Sequence, residues 1–122
     1  MSDTLAGILS HGLSSPVTRV ETENVLAHSM SRLPDLFIID GTQNKATSHD
    51  LFRLISDLRS RKETRLSPLF VILPDDAPDV AALVLDLGAD EVTYADISDG
   101  ELILRAKALI RQKLLHDKLR DT

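Results

Sequence analysis

Two short apolar runs, Leu36–Ile39 and Leu69–Leu73, show no alternation of polar and apolar residues. A strand with one wet face alternates, whereas an unbroken run of this length suits a strand buried on both faces. Both faces can be covered only when helices lie above and below the sheet, so runs of this kind predict an α/β layer structure with parallel strands. A weaker third strand is expected at Glu91–Tyr94. The alternating Val17–Val20 reads as a fourth, at an edge.

Helical patterns fall between these runs. Thr4–His11 is a short opening helix, which Gly12 is expected to stop. Thr22–Arg32 starts at a candidate N-cap, Thr22, and carries Val25, Leu26, Ser29 and Met30 at helical spacing. Ser48–Lys62 repeats Leu51, Phe52, Leu54, Ile55 and Leu58 as an apolar stripe with charges opposite. Pro78–Leu87 ends at Gly88, a common C-terminal stop. Ser98–Arg120 is the longest, with Leu102, Ile103, Ala106, Leu109, Ile110 and Leu114 expected on one side. Regular alternation of helix and strand predicts a parallel sheet with right-handed crossovers. Residues 1–122 make one domain, with 113–122 expected to project as a helical extension towards a partner or output domain.

Composition narrows the function. Aromatics are only 3% of the chain, so the core must be built from Leu, Ile, Val and Ala. Cysteine is absent, which excludes thiolate metal sites and thiol nucleophiles. A net charge of −5 argues against nucleic-acid binding, which needs a cationic face. No apolar stretch approaches the roughly 20 residues that span a bilayer, and the N-terminus lacks a secretory pattern. The expectation is a cytoplasmic domain with no membrane contact.

Asp40 is the principal candidate for chemistry, the simpler reading being a strand-end carboxylate satisfied by loop N–H groups such as those following Gly41. It closes the run Pro34-Asp35-Leu36-Phe37-Ile38-Ile39-Asp40, at the strand end where open α/β sheets place reacting groups. Other candidates have simpler readings. Asp75, Asp76 and Asp79 complement a helix dipole without any ion. His11, His28, His49 and His116 fit no metal-ligand spacing, and Ser14 and Ser15 have no nucleophile-elbow context. The loop Gly41-Thr42-Gln43-Asn44-Lys45 lacks the glycine spacing of a P-loop. Arg105, Lys107, Arg111, Lys113, Lys118 and Arg120 make the last helix basic, as the macrodipole favours, or as an acidic partner surface would require.

The run ending at Asp40, together with Ser67-Pro68-Leu69-Phe70-Val71-Ile72-Leu73 and Leu87-Gly88-Ala89-Asp90-Glu91, resembles the receiver domain of bacterial two-component response regulators. Lys62-Glu63-Thr64-Arg65-Leu66-Ser67-Pro68, Leu73-Pro74-Asp75-Asp76 and the basic ending Ile110–Arg120 are most similar to PleD-type diguanylate cyclases, particularly their degenerate second receiver. The resemblance implies a flavodoxin-like sheet flanked by helices, lacking the family's first strand, with about four strands and a long C-terminal helix. It places Asp40 at the phosphoacceptor position. It places Leu73 where the family has a hydroxyl, Ala95 where it has a lysine and Asp96 where a proline follows. The family's acidic pair, which holds Mg²⁺, belongs to its first strand, which is expected to have no counterpart in residues 1–122.

Phosphoryl transfer to a carboxylate brings anions together, so it depends on cations and donors that neutralise developing charge. Loss of one such donor typically costs about 3–4 kcal/mol in the transition state. The expectation is a degenerate receiver with no catalytic residue, no metal and no cofactor, Mg²⁺ binding only if Asp40 is functional. Such a domain would act by protein interaction and dimerisation in phosphorelay signalling, in a cyclic di-GMP protein if the PleD likeness holds. The alternative is a receiver phosphorylated on Asp40 by a histidine kinase. A small α/β enzyme or ligand binder using the loops after Ile39 and Leu73 ranks below both.

Self-association is expected on two grounds. Without the family's first strand, either Val17–Val20 pairs directly with Leu36–Ile39 or a second copy covers the edge. Leu115 and Leu119, spaced i, i+4 beyond the domain's own core, read as an interaction seam on the final helix.

Overall fold

The computed structural model describes residues 2–13, 17, 24–25, 33–42, 48–74 and 78–120; for 2–6, 48–49, 116 and 119–120 it describes the backbone alone. Its elements are α1 (Ser2–Leu13), β1 (Phe37–Asp40), α2 (Ser48–Ser60), β2 (Leu69–Leu73), α3 (Pro78–Leu87), β3 (Glu91–Tyr94) and α4 (Asp99–Arg120). Three described strands form one parallel sheet in the order β1-β2-β3. The expected strand at Val17–Val20 and nearly all of the expected helix Thr22–Arg32 lie outside the described residues. Of these, Val17 is irregular, while Asn24 and Val25 are helical.

β2 is central, and each of its residues is buried. Its side chains alternate between two cores. Leu69, Val71 and Leu73 join Leu51, Leu54, Ile55 and Leu58 of α2 and Val84 of α3 on one face. Phe70 and Ile72 meet Leu9 of α1 and Leu102, Ala106 and Leu109 of α4 on the other. Two buried faces explain why the run is continuously apolar. Each fully buried side chain of this size contributes about 1.5–3 kcal/mol. β1 and β3 flank it and are mostly half-buried, which is why Glu91–Tyr94 was the weaker signal.

Gly12 does not stop α1. The helix runs on to Leu13, and Gly12 serves instead as a packing position. A Cβ there would collide with the Ile103 side chain of α4, so the missing methyl lets the two helices approach. The other glycine signal holds: Gly88, φ 125°, ends α3 in a conformation that L side chains rarely adopt.

Ser98 caps α4 by the Ser-x-x-Glu arrangement, its hydroxyl accepting from Glu101 N–H at 3.2 Å. The helix has 22 residues, about 33 Å long at helical rise. Leu109 is the last buried residue among its described side chains. Leu114, expected on the buried side, is instead 55% exposed, because it lies about 120° around the helix from Leu102 and turns outward.

Candidate functional site

The C-terminal ends of the three strands lie along one edge of the sheet. Hydrogen bonding continues one residue past each flanking strand: Gly41 N–H donates to Ile72 O at 2.7 Å, and Ala95 N–H donates to Leu73 O at 2.9 Å. Asp40, Leu73 and Ala95 are therefore brought to one edge, as the sequence resemblance required. The fold supplies the address; the side chains decide what can happen there.

Asp40 is half-buried, and its Oδ1 accepts two local hydrogen bonds. Thr42 N–H donates at 3.0 Å and the Thr42 hydroxyl at 2.5 Å. This is an Asx-type turn, in which a short acidic side chain organises the loop that follows it. The Thr42 N–H is one of the loop donors following Gly41 that the sequence offered for Asp40, whereas the Thr42 hydroxyl bond was not foreseen.

Leu73 is 1% exposed and belongs to the core formed with α2 and α3. Its methyl group reaches beneath the loop that follows Asp40. A Cβ built on Gly41 would lie 3.3 Å from Leu73 Cδ2 and 2.8 Å from Ile72 O. The end of β2 beside this loop is thus packed with hydrocarbon. Ala95 lies in the turn after β3 and offers no cation, and Asp96 beside it is exposed.

Mg²⁺ needs near-octahedral oxygen ligands, usually one or two carboxylates with waters and phosphate oxygens. Among the described residues no group of three His, Asp or Glu side chains could hold a metal ion. Asp79 is an exposed first-turn acid of α3, while Asp75 and Asp76 lie outside the described residues. His11 is exposed; His28, Ser14, Ser15 and residues 43–45 lie outside the description, as do the side chains of His49 and His116.

Of the expected seam on α4, Leu115 is 56% exposed. Leu119 continues the helical backbone, and its side chain lies outside the description. No helix among the described residues is long and apolar enough to cross a membrane.

A second polar cluster, not foreseen in the sequence, sits at the opposite end of the sheet. Arg59 of α2 donates from Nε to Gly88 O at 2.9 Å and from Nη1 to Arg65 O and Ser67 O at 2.9 and 2.7 Å. Its Nη2 donates to Asp90 Oδ2 at 2.8 Å. From sequence, Arg59 is only an arginine on the polar side of an amphipathic helix.

The fold has solved counterparts. NtrX from Brucella abortus superposes with a TM-score of 0.81 at 24% sequence identity, covering 98% of this chain and 26% of that one. The receiver domain of NtrX from the same organism gives 0.75 at 23% identity, covering 89% of this chain and 88% of the other. The signal receiver domain of a signal transduction histidine kinase from Syntrophus aciditrophicus gives 0.72 at 21%, covering 89% and 83%. The chain spans about a quarter of the longer NtrX chain. No family model and no curated protein sequence matches. The architecture is accordingly a flavodoxin-like receiver fold, with a parallel sheet between helices and a long C-terminal helix.

Proposed function

We propose that this chain is a degenerate receiver that acts as a non-catalytic interaction module in bacterial two-component signalling. One observation carries the reading: Leu73, 1% exposed, fills with hydrocarbon the position where a receiver needs a hydroxyl. Ala95 in place of the amine, and the engagement of Asp40 by Thr42, support it. Neither Leu73 nor Ala95 can offer a hydrogen-bond donor or a cation from its side chain to a phosphoryl group at Asp40, which keeps the barrier high. Its output is then contact with other proteins rather than chemistry, and it needs neither Mg²⁺ nor another cofactor.

The PleD-like motifs favour a place beside the domains of a cyclic di-GMP signalling protein in the cytoplasm, and that assignment is part of the proposal. Self-association belongs to it as well. Light scattering over a range of concentrations tests that part, and a strict monomer throughout contradicts it. Fluorine NMR with beryllofluoride and Mg²⁺ tests the non-catalytic reading. A bound resonance that depends on Asp40 overturns it, whereas only free fluoride species are expected.

A further inference from the structure

The Lys and Arg side chains of α4 that are described fall into two groups. Those on its inner flanks are paired: Arg105 with Glu91 at 2.6 Å and Glu101 at 3.4 Å, and Lys113 with Asp117 at 2.6 Å. Lys107, Arg111 and Lys118 are exposed and form no ion pair with a described residue. At about 3.6 residues per turn, Arg111 lies opposite Leu102, the buried side of the helix. Lys107 and Lys118 lie on the same outward face.

Three leucines share that face. Leu104, Leu114 and Leu115 are 69%, 55% and 56% exposed. The outward stripe therefore reads Leu104, Lys107, Arg111, Leu114, Leu115, Lys118, and the helix's acids, Asp99, Glu101 and Asp117, all fall outside it. The macrodipole accounts for cations in a last turn but not for Lys107, which lies mid-helix, nor for large apolar side chains left in water beside them.

Resting on the proposed interaction role, we infer that this stripe docks an acidic amphipathic helix of a different protein. Charge complementarity selects the occupant. Carboxylates interleaved with apolar residues at i, i+3 and i+4 would meet the three cations while covering the three leucines. A second α4 is disfavoured, since pairing two copies through this face sets Arg111 and its neighbours against like charge. An anionic membrane is disfavoured by layout. Interfacial helices place cations on a polar face opposite their apolar one, and here Arg111 occupies the middle of the stripe.

The probe is a synthetic amphipathic helical peptide of leucine and glutamate, with a leucine–lysine counterpart, followed by fluorescence anisotropy on the whole chain. The acidic peptide is expected to bind and the basic one not. Binding should weaken at least about tenfold when Lys107→Glu, Arg111→Glu and Lys118→Glu are combined. That variant should bind the basic peptide instead. Raising ionic strength from about 0.01 to about 0.15 M should weaken the wild-type complex. Leu114→Ser with Leu115→Ser, which keeps every charge, should weaken it as well.

All six side chains are exposed, so circular dichroism should report an unchanged fold. Absence of acidic-peptide binding, or binding indifferent to charge reversal, overturns the inference. So does co-sedimentation with vesicles of equimolar phosphatidylcholine and phosphatidylserine when the peptide does not bind, or self-association abolished by the same reversal. A phosphorylated Asp40 would overturn the non-catalytic reading instead, so the two failures are distinguishable.

Discussion

Asp90 Oδ2 accepts from Arg59 Nη2 and from Leu69 N–H, each at 2.8 Å, and so joins α2, the start of β2 and the turn before β3 through one oxygen. Arg59 completes the clasp with bonds to the carbonyls of Arg65, Ser67 and Gly88. Its side chain is 21% exposed and that of Asp90 44%, so solvent screens the charge pair, while the directional bonds to the backbone remain. Arg59→Ala should therefore lower stability by about 1–3 kcal/mol. Arg59→Lys should recover little, because an ammonium cannot reproduce the fork. Urea denaturation midpoints check both, and equal stability of wild type and Arg59→Ala contradicts the clasp.

Two glycines give predictions with different causes. At Gly88, φ 125° is strained for any L side chain, and a Cβ would lie 2.9 Å from Arg59 Cγ. Gly88→Ala should cost about 1–3 kcal/mol, with little relief from changing Arg59.

At Gly12 the obstacle is a side chain, Ile103, rather than the backbone angle. The cost of Gly12→Ala should fall in an Ile103→Ala background. A double-mutant cycle should show coupling of about 0.5–3 kcal/mol, and strict additivity would contradict the contact.

Leu73 should behave as a core residue. Leu73→Ala is expected to cost about 2–5 kcal/mol, the range for deleting a buried leucine. Leu73→Thr should also destabilise, since it buries a hydroxyl among Leu51, Val84 and the rest of that core. Thermal denaturation checks both.

Asp40→Asn should be the milder substitution at this position, because an amide oxygen still accepts the Thr42 bonds. Asp40→Ala should cost more than Asp40→Asn. The reverse order by the same measurement would show that the negative charge is a burden rather than a loop organiser.

The parts of the fold that repeat were legible. Leu69–Leu73, Pro78–Leu87 and Glu91–Tyr94 occupy the positions that apolar runs and Gly88 indicated. Leu36–Ile39 was displaced by one residue, since Asp40 itself pairs with Ile72 and belongs to the strand. Ser48–Lys62 ends at Ser60, before a turn-rich connection held by Thr64, whose hydroxyl donates to Leu58 O at 2.5 Å. Gly12 misled because a helix-stopping glycine and a helix-packing glycine look alike until the facing residue is known. Arg59 was missed because its acceptors are mostly carbonyls, which leave no pattern in a sequence. At the candidate site a loop N–H bond to Asp40 was legible, but the Thr42 hydroxyl bond and the Leu73 methyl beside Gly41 needed three dimensions.

The most direct test is the intact mass of the protein after incubation with acetyl phosphate and Mg²⁺, measured beside Asp40→Asn. We predict that both keep their unmodified mass. A single phosphate adduct on the wild type that Asp40→Asn fails to acquire would contradict the account, because it would show that this edge gathers enough positive charge to receive a phosphoryl group.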